Sequence, residues 1–263
     1  MTPDTARRRG AGLLVSIALL VATSGCQRSS GSPEAVRLFA AASTLGAVEE
    51  VTAEFTRQTG VPVAINCAAS STLANMLIRG GRADLFLSAS PGWSESVQQS
   101  RPGCRSVDLL KNRLVVITPA SANRPGLTSL GQLVDPARGK IAMGDPQGVP
   151  AGTYARAALQ QAGIWSAVQN RVAGTVDVRQ ALTFVEQETV KYGIVYFTDA
   201  RQSRSVQIAL EIKSPEPVVY PLVLLPEPTP VARQLFDFFQ TEAARKVFDR
   251  YGFSTPAGTG SPD

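Results

Sequence analysis

The sequence predicts an α/β protein of two lobes, each a mixed, mainly parallel sheet flanked by helices, with a ligand cleft between the lobes. Three observations predict it. Short apolar runs alternate with segments whose apolar residues recur at helical spacing, the order that builds parallel sheets with helices on both faces. Two such series follow one another, and the extended runs near Arg113 and Tyr220 are placed to cross between them. Four strand ends carry a turn of small or hydroxyl-bearing residues directly before an amphipathic helix, and ligands of open α/β sheets lie beyond the carboxyl ends of the strands.

Val36 to Ala40 reads as the first strand. Leu45, Val48, Val51 and Phe55 then recur at helical spacing, and Gly60 stops that helix. Val61 to Asn66 is a second strand. Leu73, Met76 and Leu77 mark a second helix, closed by Gly80 and Gly81, and Asp84 to Ser88 is a third strand. Arg113 to Thr118 opens the second series, followed by a strand at Lys140 to Met143 and a helix from Tyr154 to Ala162. A helix from Val178 to Glu188 turns Leu182 and Val185 inward, Tyr192 to Phe197 is a buried strand, and Val218 to Leu225 is extended. Pro230 suits the first turn of one last helix carrying Leu235, Phe238, Phe239 and Val247, which returns to the first lobe. Met76 and Met143 read as core. The lobes are then residues 35–112 with 222–254, and residues 113–221. Two crossovers between them allow hinge closure.

The start of the chain carries an export signal. Arg7-Arg8-Arg9 precede an apolar run from Ala11 to Ala22, too short to span a bilayer comfortably, so residues 1–25 read as a signal peptide. It ends in Ala22-Thr23-Ser24-Gly25-Cys26. Small residues before a cysteine resemble the box at which bacterial lipoproteins are cut and lipidated, which would anchor Cys26 in the membrane. Thr23 stands where such boxes usually carry Leu, and an ordinary cleavage site beside an incidental cysteine is the alternative. Residues 26–34 read as a flexible tether and 255–263 as a disordered tail. An exported protein lies in an oxidising space, so Cys67 and Cys104 are a possible disulfide, with two buried thiols as the alternative.

Composition removes several function classes. The 263 residues include no histidine, which excludes a Ser-His-Asp or Cys-His catalytic site and any His-ligated metal. Three cysteines, one of them the candidate anchor, speak against a Cys-rich zinc or iron–sulfur site. The net charge of +5 falls to +3, 23 basic against 20 acidic residues, once residues 1–25 are set aside. No dense basic run or aromatic–basic interleaving is left, so a nucleic-acid partner has no support. Serines at strand ends leave a Ser-Lys hydrolase as the enzyme alternative, although no S-x-x-K pattern sits at the four turns.

Those turns are Ala40 to Thr44, Ala68 to Thr72, Val149 to Thr153 and Thr175 to Val178. A helix start exposes unpaired N–H groups and about half a positive charge, so four starts aimed at one point would offer about +2, a match for a dianion. Each residue also has a plainer role. Ser43 and Ser70 could be N-caps, Ala151-Gly152 a tight turn, Val178 a core residue, and Tyr196 a buried Tyr with one structural hydrogen bond. Asp145 and Asp177 read as caps or turn formers rather than acids.

Several segments together resemble the periplasmic molybdate-binding proteins of bacterial molybdate ABC transporters. They are LFAAAS (Leu38 to Ser43), ASSTLA (Ala69 to Ala74), ADLFLSA (Ala83 to Ala89), GDPQGVPAGTYA (Gly144 to Ala155), DVRQAL (Asp177 to Leu182), GIVYFTDA (Gly193 to Ala200) and RYGF (Arg250 to Phe253). The resemblance implies a type II periplasmic binding protein, acting as a monomer without a cofactor. It would hold one molybdate or tungstate ion in the cleft and deliver it to a membrane permease with a cytoplasmic ATPase. By motif, Ser43 and Ser70 would donate hydroxyls, Ala151 and Val178 backbone N–H groups, and Tyr196 its phenol hydroxyl. Cys67 and the lipoprotein-type start depart from the family pattern. Molybdate and tungstate are fully ionised tetrahedral dianions, which accept hydrogen bonds and donate none, so a site made only of donors suits them. Sulfate and thiosulfate remain alternatives, as does, more remotely, a sensory module on the same fold.

Overall fold

The structure is a computed structural model that describes residues 34–122 and 126–256. The signal peptide, Cys26 with the tether up to residue 33, and the tail from residue 257 lie outside the described residues. In the first lobe β1 (Val36–Ala41) passes through a 3-10 turn (Ala42–Thr44) into α1 (Leu45–Thr59), and β2 (Val63–Ala68) leads into α2 (Ser70–Ile78). Next come β3 (Leu85–Leu87), α3 (Pro91–Ser100) and β4 (Arg105–Asn112). The second lobe begins with β5 (Leu114–Pro119). It continues through β6 (Ile141–Gly144), α4 (Pro150–Gln161), the short α5 (Trp165–Val168), β7 (Val172–Thr175) and α6 (Val178–Glu186). It ends with β8 (Tyr192–Tyr196), α7 (Phe197–Gln202) and β9 (Val206–Ile212). The chain then returns through β10 (Val218–Leu224), α8 (Pro230–Phe238) and α9 (Glu242–Tyr251).

The two sheets share one plan. The first has the order β2-β1-β3-β10-β4, with β1, β2 and β3 parallel and β10 antiparallel to both neighbours. The second has the order β7-β6-β8-β5-β9, with β6, β7 and β8 parallel and β5 antiparallel to both neighbours. Each antiparallel strand is the one delivered by a crossover from the other lobe. The first crossover falls at Asn112 and Arg113. The second spans 213–217, because β10 pairs with β4 from Val218 onward. Residues 218–221, assigned from the sequence to the second lobe, therefore belong to the first sheet.

Three other expectations change. The single last helix is two helices, because Thr241 opens α9 by accepting a hydrogen bond from Ala244 N–H, and the chain bends at Phe239 and Gln240. Met76 is not core but 42% exposed. Ser70, Leu73, Ala74 and Leu77 form the buried stripe of α2, and at about 100° per residue Met76 sits roughly 110° round from it. Met143 is fully buried as expected. Cys67 and Cys104 are free thiols. Cys67 lies on β2 and Cys104 precedes β4, the opposite edges of a five-stranded sheet. Four strand spacings amount to about 19 Å, far beyond the reach of a disulfide. Burial pushes the Cys67 thiol up to about 12, which leaves it unreactive.

Close backbone approach sets the start of α4. A Cβ on Gly152 would stand 1.9 Å from the Gly144 carbonyl oxygen, and one on Gly144 would stand 2.5 Å from Val149 Cγ1. The glycines let the helix start sit against the end of β6. Contacts also bridge the lobes. The Trp93 indole on α3 donates to the Gly148 carbonyl at 3.0 Å. Asn112 donates to Thr198 Oγ1 at 2.9 Å. Arg179 Nε on α6 donates to the Ala42 carbonyl at 3.3 Å and lies 3.0 Å from Asp199 Oδ1. Asp199 is fully buried. Burial pushes its carboxyl from 3.8 up to about 7, and the Arg179 guanidinium offsets only part of that rise.

Two outcomes follow from this packing. Gly152→Ala is expected to destabilise the protein by about 1–3 kcal/mol in urea unfolding, because the added methyl must push α4 off β6. Between pH 3.8 and about 7 the folded state holds a proton on Asp199 that the unfolded chain has released. Its contribution to stability is therefore complete below that window and lost as pH rises through it. Chemical denaturation from pH 4 to 8 should show this decline, and Asp199→Asn should flatten it.

Candidate functional site

The four helix starts converge. They and the last residue of β8 surround one cavity of about 210 Å³ of space free of protein atoms, counting its open mouth. Ala41, Ala42, Ser43, Ala69, Ser70 and Ala89 line it from the first lobe, and Val149, Pro150, Ala151, Asp177, Val178 and Tyr196 from the second. All five residues singled out by motif, Ser43, Ser70, Ala151, Val178 and Tyr196, are in this lining. The cavity is small and suits a small polyatomic ion.

The topology explains the convergence. Ser43 follows β1, Ser70 follows β2, Ala151 follows β6 and Val178 follows β7, each beyond the carboxyl end of a parallel strand, β1 and β6 inside their sheets and β2 and β7 at their edges. Ala151 and Val178 stand in the first turns of α4 and α6. First-turn amides have no helical carbonyl behind them to bond, so they are left as donors. Pro150 at the first position of α4 has no N–H to contribute.

Neither serine is an N-cap. The residues in the capping positions are Ala41 and Ala69, with no side-chain cap. The hydroxyls are engaged elsewhere. Ser70 Oγ accepts from Ala89 N–H at 2.8 Å, so its own proton is free. Ser43 Oγ lies 2.9 Å from the Tyr220 hydroxyl. Tyr196 is 1% exposed, and its hydroxyl has no hydrogen-bond partner among the described residues. A buried orphan of this kind costs about 1–3 kcal/mol, a cost that a ligand accepting its proton removes. Burial holds the Tyr196 phenol well above its ordinary value, so it stays a donor.

Charge is arranged to leave the dipoles in command. Among the described residues no Lys or Arg lines the cavity. Arg179 is next to it in sequence, but its guanidinium is turned to Ala42 and to Asp199. Asp177 lines the cavity as the cap of α6, its Oδ1 accepting from Gln180 N–H at 2.9 Å. Asp145 Oδ1 accepts from Gln147 N–H within its turn. Both aspartates thus have the structural roles that the sequence suggested. Sequence reasoning missed Tyr220, Asn112, Arg179 and Trp93. Arg179 lay inside the DVR motif, whereas nothing local marks Tyr220 within its apolar run. Among the described residues no cluster of acidic, Cys or His side chains could hold a metal cation.

Comparison with known proteins agrees with this geometry. Residues 36–254 match the family described as bacterial extracellular solute-binding protein. The molybdate-binding protein ModA of Haemophilus influenzae is 36% identical, over 91% of this chain and 97% of its own length. A putative ABC transporter substrate-binding lipoprotein of Bacillus subtilis, YvgL, is 32% identical over 92% of this chain and 95% of its own. The solved periplasmic molybdate-binding protein of Azotobacter vinelandii superimposes with a TM-score of 0.71 at 23% identity, over 84% of this chain and 99% of that one, which shows the shared fold. The chain belongs to the bacterial extracellular solute-binding proteins, among the relatives of the molybdate-binding proteins.

Proposed function

We propose that this protein captures molybdate, and equally tungstate, outside the cytoplasm and delivers it to an ABC permease driven by a cytoplasmic ATPase. The observation that carries the reading is the unpaired, buried Tyr196 hydroxyl at a cavity otherwise edged by helix starts. The ligand set is Ser43 and Ser70 through their hydroxyls, Ala151 and Val178 through backbone N–H groups, and Tyr196 through its phenol. All five are donors. A dianion that carries no proton satisfies every one of them, whereas protonated phosphate brings a donor of its own that this donor set does not accept. A mismatch of about 1–3 kcal/mol gives roughly ten- to hundredfold discrimination. Sulfate shares the full ionisation of molybdate, and only the size of the closed cavity separates the two.

The Ser-Lys hydrolase lacks support, since among the described residues no lysine lines the cavity. Cys26 anchors the mature chain to the membrane in this reading. The lipoprotein named among its relatives supports that, and mass spectrometry of the mature N-terminus checks it. The protein acts as a monomer. Calorimetric titration of residues 32–263 tests the function. Molybdate and tungstate are expected to bind one-to-one and tightly, with sulfate and phosphate weak. Comparable sulfate binding would reassign the ligand, and no anion binding would end the transport reading. Ser43→Ala, Ser70→Ala and Tyr196→Phe should each weaken molybdate binding by about 1–3 kcal/mol.

A further inference from the structure

Behind Ser43 lies a chain of side chains that do not touch the cavity. Asn112, at the end of β4, has its amide orientation set by its neighbour: Arg113 N–H donates to Asn112 Oδ1 at 2.9 Å. The amide nitrogen of Asn112 must then face the other way, and it donates to the Tyr220 hydroxyl at 3.2 Å and to Thr198 Oγ1 at 2.9 Å. Tyr220 is fully buried on β10. Its oxygen is thus occupied as an acceptor by Asn112, and its single proton needs an acceptor. No hydrogen bond links Tyr220 to the Tyr196 hydroxyl or to either Asp199 oxygen, so none of these receives it. Ser43 Oγ, 2.9 Å away, does. The reverse arrangement, Ser43 donating to Tyr220, would leave the Tyr220 proton buried and unpaired. With one of its two lone pairs held by Tyr220, Ser43 has its own proton free for the cavity.

We infer that Tyr220, oriented by Asn112, is a positioning residue that makes Ser43 an obligate donor, so that the site excludes protonated oxyanions. The inference rests on the reading of the cavity as an oxyanion site. A serine hydroxyl can ordinarily turn to accept as readily as to donate; the relay removes that freedom. Its direction is set by a backbone N–H at the crossover between the lobes, which cannot be flipped. Specificity for a fully ionised ligand is therefore written partly in residues outside the cavity wall.

The test is a double-mutant cycle with the wild-type chain, Tyr220→Phe, Asn112→Asp and the double variant, titrated with molybdate and with phosphate at pH 6.5. Tyr220→Phe leaves the Ser43 hydroxyl in place but free to rotate. Molybdate affinity is expected to fall about two- to tenfold, while the ratio of molybdate to phosphate affinity falls with it. Asn112→Asp replaces the donor with an acceptor. Tyr220 then gives its proton to the new carboxylate, Ser43 turns to donate to Tyr220, and a lone pair faces the anion. Its cost in the wild-type background should exceed its cost in the Tyr220→Phe background by at least about fivefold; a simple effect of the added charge would be equal in both. Additive costs with an unchanged molybdate-to-phosphate ratio would overturn the relay while leaving molybdate binding intact. A wild-type chain that binds no oxyanion would overturn the site reading and the relay with it. If Asn112→Asp fails to fold, the ratio measured on Tyr220→Phe decides alone.

Discussion

The site depends on hydrogen-bond donors that the protein itself cannot satisfy. A buried N–H or O–H without an acceptor is unfavourable, and proteins leave few of them. Here several are collected at one cavity: the Ala151 and Val178 amides in the first turns of α4 and α6, the Ser70 proton freed by Ala89, and the Tyr196 hydroxyl. Each alone would be a local defect. Together they are a surface with one polarity, and only a ligand that accepts from all sides completes it.

The fold makes such a collection possible through repetition. Both sheets place three parallel strands beside one antiparallel strand from the opposite lobe, and both turn the carboxyl ends of their parallel strands toward the same cleft. A helix must start beyond each of those ends, because a parallel neighbour can be reached only by a crossover. The glycines of the Gly144 to Gly152 turn then decide how near the α4 start comes. The same crossovers carry Asn112 and Tyr220 behind Ser43.

Charge is handled differently from polarity. Arg179 could have faced the cavity as a cation, yet it lies against the buried Asp199 and bonds Ala42 across the cleft. A mobile cation attracts many anions with little regard to shape, whereas helix dipoles and fixed amides reward geometry. Pairing Arg179 internally leaves the cavity to dipoles and gives the lobes a contact with each other.

The sequence by itself determined the alternation of elements, the two-lobe class, and the five residues Ser43, Ser70, Ala151, Val178 and Tyr196 that the structure brings to one cavity. These were legible because helical periodicity and helix-start turns are local, and because motifs keep their spacing along the chain. The sequence left Ser43 and Ser70 readable as caps. Only the structure removed that reading, by showing their partners to be Tyr220, 177 positions away, and Ala89, 19 positions away. Tertiary structure alone likewise separated Cys67 from Cys104 across a sheet, turned Met76 outward, divided the last helix at Thr241, and moved β10 into the first sheet at Val218. The physical reason is common to all of these. Strand order and the direction of a hydroxyl proton are set by which distant groups come to lie side by side, and that is a property of the packed chain rather than of any stretch of it.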